Sequence, residues 1–185
     1  MIKKIVLSVL VLGLFGGGFF YWWTSQADVR ELNKTLPKGV SVAKSLYGNE
    51  YKVINKIDGY EFKVPTEWHG VKIFEYTPER AEGTYVGTSV NLKGREGSGI
   101  IFSIDRFKIK EEVNLETWTN NAFDTFGLVG NFSKDKVGEF DVVKTQENVH
   151  LVGMFVYFFK KDSAIYSITN GSEEFIKYII LNGKW

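Results

Sequence analysis

The chain has 185 residues, 44% of them hydrophobic and 24% charged. That is one domain's length with a globular balance, and it excludes wholesale disorder, collagen-like repeats and a polytopic membrane protein. The absence of cysteine excludes a disulfide scaffold, a thiolate metal site and a Cys nucleophile, and a formal charge of +1 removes the electrostatic argument for nucleic acid as a partner.

Lys3 and Lys4 are followed by Ile5 to Trp23, a run free of ionisable charge. As a helix it would reach roughly 28 Å at 1.5 Å per residue, close to the ~30 Å hydrocarbon layer, so one transmembrane helix is expected within residues 1–27. Phe19, Phe20, Tyr21, Trp22 and Trp23 close the run with rings suited to the membrane interface. The two lysines put the N-terminus in the cytoplasm and everything after Trp23 outside. Ser25-Gln26-Ala27 offers the alternative of a signal peptide cut near Ala27, with a secreted product. The length of the apolar run and the bulk of Trp22 and Trp23 beside that cut favour an uncleaved signal anchor. Gly13 and Gly17 stand four apart, but beside Gly16 and Gly18 they read as a flexible stretch and not as a helix-pairing face.

Residues 28–50 read as a tether with local order. Asp28 is placed to cap a short helix carrying Val29, Leu32 and Leu36, which Pro37 and Gly39 stop. The globular domain is expected over 51–185, and beyond residue 27 the charge balance is 21 basic against 22 acidic residues.

Tyr51 to Ile57 alternates, Asp58-Gly59 is a two-residue hairpin turn, and Tyr60, Phe62 and Val64 resume on one face until Pro65. Val71, Ile73, Glu75 and Thr77 share a face of the next strand, which Pro78 breaks. Tyr85 to Lys93 and Gly99 to Phe107 read as two strands joined at Gly94 to Gly97, with Ile100, Phe102, Ile104 and Arg106 opposite in facing to Ile101, Ser103, Asp105 and Phe107. The period then changes: Leu115, Trp118, Ala122, Phe123 and Phe126 recur at helical spacing after the N-cap Asn114, with Gly127 as a stop. Strands are expected at Val137 to Thr145, Leu151 to Lys160 and Ala164 to Thr169, the near-continuous apolar run Met154 to Phe159 marking a strand covered on both faces. Asn170-Gly171-Ser172-Glu173 opens a last helix through Phe175, Ile176, Ile179 and Ile180 to Gly183.

This order predicts an α+β fold, a mostly antiparallel central sheet flanked by helices. The stretch Asp58-Gly59-Tyr60-Glu61-Phe62-Lys63-Val64-Pro65-Thr66-Glu67-Trp68 resembles the opening hairpin of PsbP-like domains. The helix around Trp118 and the ending from Ile165 to Ile179 resemble the same family's internal helix, final strand and C-terminal helix, over roughly residues 50–185. The resemblance implies an α/β/α sandwich used mainly as a non-catalytic binding or assembly module. The photosystem role of the photosynthetic members does not carry over, because fold membership alone does not decide function.

No catalytic or metal residue is assigned from the sequence, and no cofactor. His69 and His150 are 81 positions apart, too sparse for a local metal pattern, and read as surface or edge residues. A metal-dependent or hydrolytic site assembled only in three dimensions, in which they meet Asp105 or Glu75, is the alternative. No GxSxG or GxxxxGK[ST] occurs. Gly94 to Gly99 lies between strands, where a phosphate would gain no helix dipole, and reads as a hairpin loop. Lys160-Lys161 and Lys108-Ile109-Lys110 are answered by Asp162 and Glu111-Glu112 and read as solvated strand ends; Glu173-Glu174 suits a helix N-terminus. The sequons at Asn33, Asn131 and Asn170 matter only in a glycosylating host, and the Lys/Ile/Asn-rich style reads as bacterial. Trp118 is assigned to the core, Trp68 to a turn, and Trp185 is simply terminal. The expected partners are the membrane, through the N-terminal helix, and an envelope protein or small ligand.

Overall fold

The computed structural model describes residues 13, 16–45, 50–65, 73–82, 85–93, 100–109, 111–125, 131–145, 154–170 and 172–185. Residues 16–25 are helical and run through a turn at Gln26 into α1 (Ala27–Thr35). There follow β1 (Val40–Lys44), β2 (Glu50–Asn55), β3 (Tyr60–Pro65), β4 (Ile73–Glu82), β5 (Tyr85–Lys93), β6 (Ile100–Lys108), α2 (Leu115–Thr125), β7 (Phe132–Val137), β8 (Phe140–Thr145), β9 (Phe155–Lys161), β10 (Ala164–Asn170) and α3 (Glu173–Asn182). The pairings are antiparallel. β1, β2 and β3 form one sheet, and the other is ordered β4-β5-β6-β10-β9-β8-β7. The fold class is α+β, as the alternation of strand and helix periods predicts.

The seven-stranded sheet is buried unequally on its two faces. On one, Phe102, Ile104, Tyr157, Phe159, Tyr166 and Ile168 join the main core with Tyr60, Phe62 and Val64 of β3, Val53 of β2, Val42 of β1 and the apolar stripe of α3. On the other, Val156, Phe158 and Ile165 meet Phe123 of α2. The period-2 rule produces this split, since successive residues of β9 and β10 go to opposite faces and each face finds its own cover.

The helices predicted around Trp118 and Phe175 form with the predicted caps, while Phe126 and the expected stop at Gly127 lie outside the described residues. Asn114 Oδ1 accepts from Thr117 N at 3.1 Å, and Ser172 Oγ accepts from Phe175 N at 3.2 Å. Phe175, Ile176, Ile179 and Ile180 are buried at helical spacing.

Several expectations are corrected. The β2–β3 hairpin has a four-residue turn, because Asn55 pairs with Tyr60 in register and its Oδ1 accepts from the backbone N–H of Ile57 and Asp58. Gly59, at φ 81°, is needed there. Pro78 does not end β4. The strand is a sheet edge whose register shifts between Thr77 and Arg80, and at a bulge on an edge a missing N–H is tolerated. The strand expected over 137–145 is the second half of a hairpin turning at Gly138, whose φ is 62°. Its first half, Phe132–Val137, is a charged edge strand with too weak an apolar alternation to read.

The largest correction concerns residues 28–50. The described ones, 28–45 and Glu50, are not a tether: Val29 and Val42 are buried in the main core, Val40 is also buried, and β1 is a strand of the smaller sheet, while 46–49 lie outside the described residues. The helix starts one residue before Asp28, with Gln26 at the cap position. Trp185 is likewise structural, with its ring 5.0 to 5.7 Å from those of Tyr60, Phe159 and Tyr166. Of the predicted span Ile5 to Trp23, residues 5–12, 14 and 15 lie outside the described residues. Among the described residues no helix is long and apolar enough to cross a membrane.

Both outer edges of the three-stranded sheet meet other segments of the chain, β3 at Glu61 and β1 along its length. Lys184 and Glu61 exchange backbone hydrogen bonds of 2.8 and 2.9 Å along β3. Along β1, the outward N–H of Val40 is taken by Pro37 O, while Val42 and Lys44 are taken by the side-chain amides of Asn33 and Gln26. Unpaired strand edges invite association with other chains, and here the protein's own segments occupy them.

Candidate functional site

α2 covers only part of its face of the large sheet, packing on β8 and β9. Over β6 and β10 the same face changes character: in place of Val156, Phe158 and Ile165 it carries Ser103, Asp105, Ser167 and Thr169. Register sets Ser167 opposite Asp105 and Thr169 opposite Ser103. On the other side of β6, Ser89 stands opposite Asp105 and Asn91 opposite Ser103, and Glu75 stands opposite Asn91. Two polar rows therefore run across β6 and β10 beside the apolar floor of α2.

Asp105 organises the described part of these rows. Its Oδ2 accepts from Ser103 Oγ and from Ser167 Oγ, both at 3.1 Å. The serines are buried and Asp105 is half-buried, so the carboxylate's hydration is replaced by fixed hydroxyl donors. Phe107 and Trp118 border the cluster with ring centroids 5.1 Å apart. Phe107 lies where it does because its register partner is Gly87: a Cβ at Gly87 would come 2.6 Å from Arg106 O and 3.0 Å from the Phe107 ring. The arrangement offers hydroxyl, carboxylate and aromatic surface side by side, which is the chemistry of recognising a polar, uncharged ligand. Both serine hydroxyls donate to this one carboxylate, and both histidines of the chain lie outside the described residues.

A second polar cluster joins the two sheets. Arg106, on the opposite face from Asp105, places Nη1 3.9 Å from Asp58 Oδ1, with both side chains largely buried. Asn55 Nδ2 donates to the other Asp58 oxygen at 2.7 Å, and burial pushes the pKa values of the neighbouring Tyr60, Tyr76 and Tyr166 upward.

A third lies at the start of α3. Lys144 Nζ is 3.2 Å from Glu173 Oε2 and 3.4 Å from Asp135 Oδ2, and Tyr157 OH donates to Glu173 Oε2 at 2.9 Å. Burial and then Glu173 push Tyr157 up to about 12. Burial opposes the charge on Lys144, but the carboxylate and phenol partners outweigh it and hold its pKa above the usual lysine range. Glu173 thus serves the helix N-terminus as expected and also ties it to β8 and β9.

Of the residues singled out in the sequence, Asp105 is placed in the polar rows. Glu75 pairs in register with Asn91 of β5, while His69, His150, Trp68 and the Gly94 to Gly99 loop lie outside the described residues. Among the described residues no group of three or more His, Cys, Asp and Glu is placed to hold a metal. Glu111, Glu112, Lys160 and Asp162 line one open depression of about 350 Å³ together with Ile109 and Ser163. Asn33 and Asn170, two of the sequon residues, are engaged within the fold: the Asn33 amide holds β1, and buried Asn170 accepts from Ser172 N at 2.8 Å. Ser103 and Ser167 were missed because alternation identifies which face a residue joins and not which residues from distant strands meet there. Compared with family models, curated proteins and solved structures, the chain gives no match.

Proposed function

We propose that this chain is a membrane-anchored extracytoplasmic domain that binds a partner or polar ligand without transforming it, a PsbP-like module carried on one N-terminal helix. One observation carries the reading. The helical residues 16–25 leave Phe19, Phe20, Tyr21, Trp22 and Trp23 between 40% and 72% exposed, whereas Val29, in the next turns, is 3% exposed in the core. Five consecutive exposed aromatics have no place on an aqueous surface, and they match the ring-rich belt at which a membrane helix meets water. The apolar run that continues toward Lys3 and Lys4 supplies the span and its orientation. The antiparallel α+β fold supports the PsbP-like part of the reading, and the rows around Asp105 supply its binding surface.

The test is expression of the full chain in a bacterial host. The expected result is recovery in the membrane fraction, release only by detergent, and digestion of the domain by protease added to spheroplasts. Recovery in the soluble fraction, or a domain protected in spheroplasts, overturns the anchor. A mature N-terminus at Asp28 retains export and replaces the anchor with a cleaved signal peptide. For the binding part, thermal-shift screening of the detergent-solubilised chain against polar neutral ligands should give hits that Asp105→Asn removes; the absence of any such hit counts against these rows as the site.

A further inference from the structure

Resting on that anchor, we infer that the domain is mounted directly on the bilayer surface by a helix-to-strand clamp, with the Lys44 end of the small sheet facing the lipid headgroups. The clamp begins three residues after the last aromatic of the belt. Gln26 Nε2 donates to Lys44 O at 3.3 Å and Gln26 Oε1 accepts from Lys44 N at 3.4 Å. Seven residues on, Asn33 repeats the pattern on Val42 at 2.8 and 2.7 Å. Two residues seven apart lie on one face of a helix, and two residues two apart share an edge of a strand, so α1 is fastened to β1 at two points along its length.

The connection from belt to clamp is itself helical. Gln26 N donates to Trp22 O and Arg30 N to Gln26 O. The Arg30 guanidinium donates to Trp23 O at 2.5 Å and stacks 4.1 Å from the Trp23 ring centroid. From Trp23 to Gln26 the axial rise is only about 4.5 Å, so the Lys44 end of β1 stands at the level where a membrane's headgroups begin. A flexible linker has no room in this path. The opposite end of the sheet, the turn of residues 56–59, is about 15 Å further along the strands and faces away. The partner of this surface is the bilayer itself, and Lys44 brings its ammonium to the interface, with Tyr51 5.9 Å away.

The chain has no cysteine, so single labels are unambiguous. Full-length Ser45→Cys and Lys56→Cys proteins, both at exposed positions, would be labelled with a fluorophore and reconstituted in nanodiscs carrying a headgroup-attached quencher. The expected result is several-fold stronger quenching at position 45 than at position 56. A Gly-Ser-Gly-Ser insertion after Ser25, which leaves α1 and its clamp intact, should erase the difference. Equal quenching at the two positions without the insertion overturns the direct mounting while leaving the anchor standing. Failure of the chain to enter nanodiscs at all removes the anchor instead. A difference that survives the insertion overturns the role of the helical connection.

Discussion

The side-chain amide of Asn33 pairs with both backbone polar groups of Val42, donating to its carbonyl at 2.8 Å and accepting from its N–H at 2.7 Å. In effect one side chain takes the place of a neighbouring strand. Removing it leaves a partly buried donor and acceptor unmet, so Asn33→Ala should cost about 1 to 3 kcal/mol. Asn33→Asp, which keeps the acceptor and loses the donor, should fall between. Urea unfolding of the detergent-solubilised chain measures both, and an Ala variant as stable as the parent would show that the amide is replaced by water without loss.

The ion pair between Asp58 and Arg106 gives a prediction about order of substitution. Breaking a buried pair leaves the remaining charge uncompensated, whereas removing both charges does not. Asp58→Asn, which preserves the turn, should therefore destabilise by about 2 to 3 kcal/mol, and adding Arg106→Met should restore at least half of that. A double variant less stable than the single one would mean that Arg106 has other partners that matter more.

The last residue is a core residue. Trp185 packs against Tyr60, Phe159 and Tyr166 and donates from Nε1 to Ile180 O at 3.1 Å. Trp185→Ala should cost about 3 kcal/mol, the low end for truncating a large aromatic because the ring is partly exposed. Trp185→Phe should recover part of it. A melting temperature unchanged by Trp185→Ala would place the ring outside the folded core in solution.

The acid and alkaline limbs of stability follow from different groups. Tyr178 and then Lys63 hold Glu50 below its ordinary 4.5, Lys184 and Lys52 do the same for Glu61, and the Lys136 N–H with Lys144 and Lys177 lowers Asp135 below 3.8. A depressed folded pKa stabilises above the unfolded value and is lost as pH falls through the folded one. Stability should therefore decline below pH 4.5, and Glu50→Gln should flatten that decline. Tyr157 and Tyr178 are pushed by burial, then by Glu173 and Glu50, from 10 up to about 12. Raised acids stabilise below their unfolded value, so this contribution should disappear between pH 10 and 12, and Tyr178→Phe should shallow that limb of a pH–urea series.

Gly87 tests the geometry of the candidate site. Gly87→Ala would press its Cβ on backbone at Arg106 O, 2.6 Å away, and should destabilise by about 1 to 3 kcal/mol while displacing Phe107 from Trp118. A change in Trp118 emission that parallels the loss of stability is expected. Parent-like emission and stability would show that the strand yields without moving the ring.

Legible in the sequence were the fold class, the bounds of β5, the helices around Trp118 and Phe175 with their caps at Asn114 and Ser172, and the burial of Val156 to Phe159 in an inner strand. These are local facts, set by period, turn chemistry and capping within a few residues. Pairing between distant segments was not legible. That Asn33 and Gln26 would seal β1, that Lys184 would pair with Glu61, and that Ser103 and Ser167 would both meet Asp105 depends on contacts up to 123 positions apart. A polar residue in a weakly alternating stretch carries no sign of which strand edge it will close. That α1 and β1 pack into the domain follows only from long-range contacts, because a short helix and a five-residue strand are too small to bury their faces alone and become ordered only where the rest of the domain receives them.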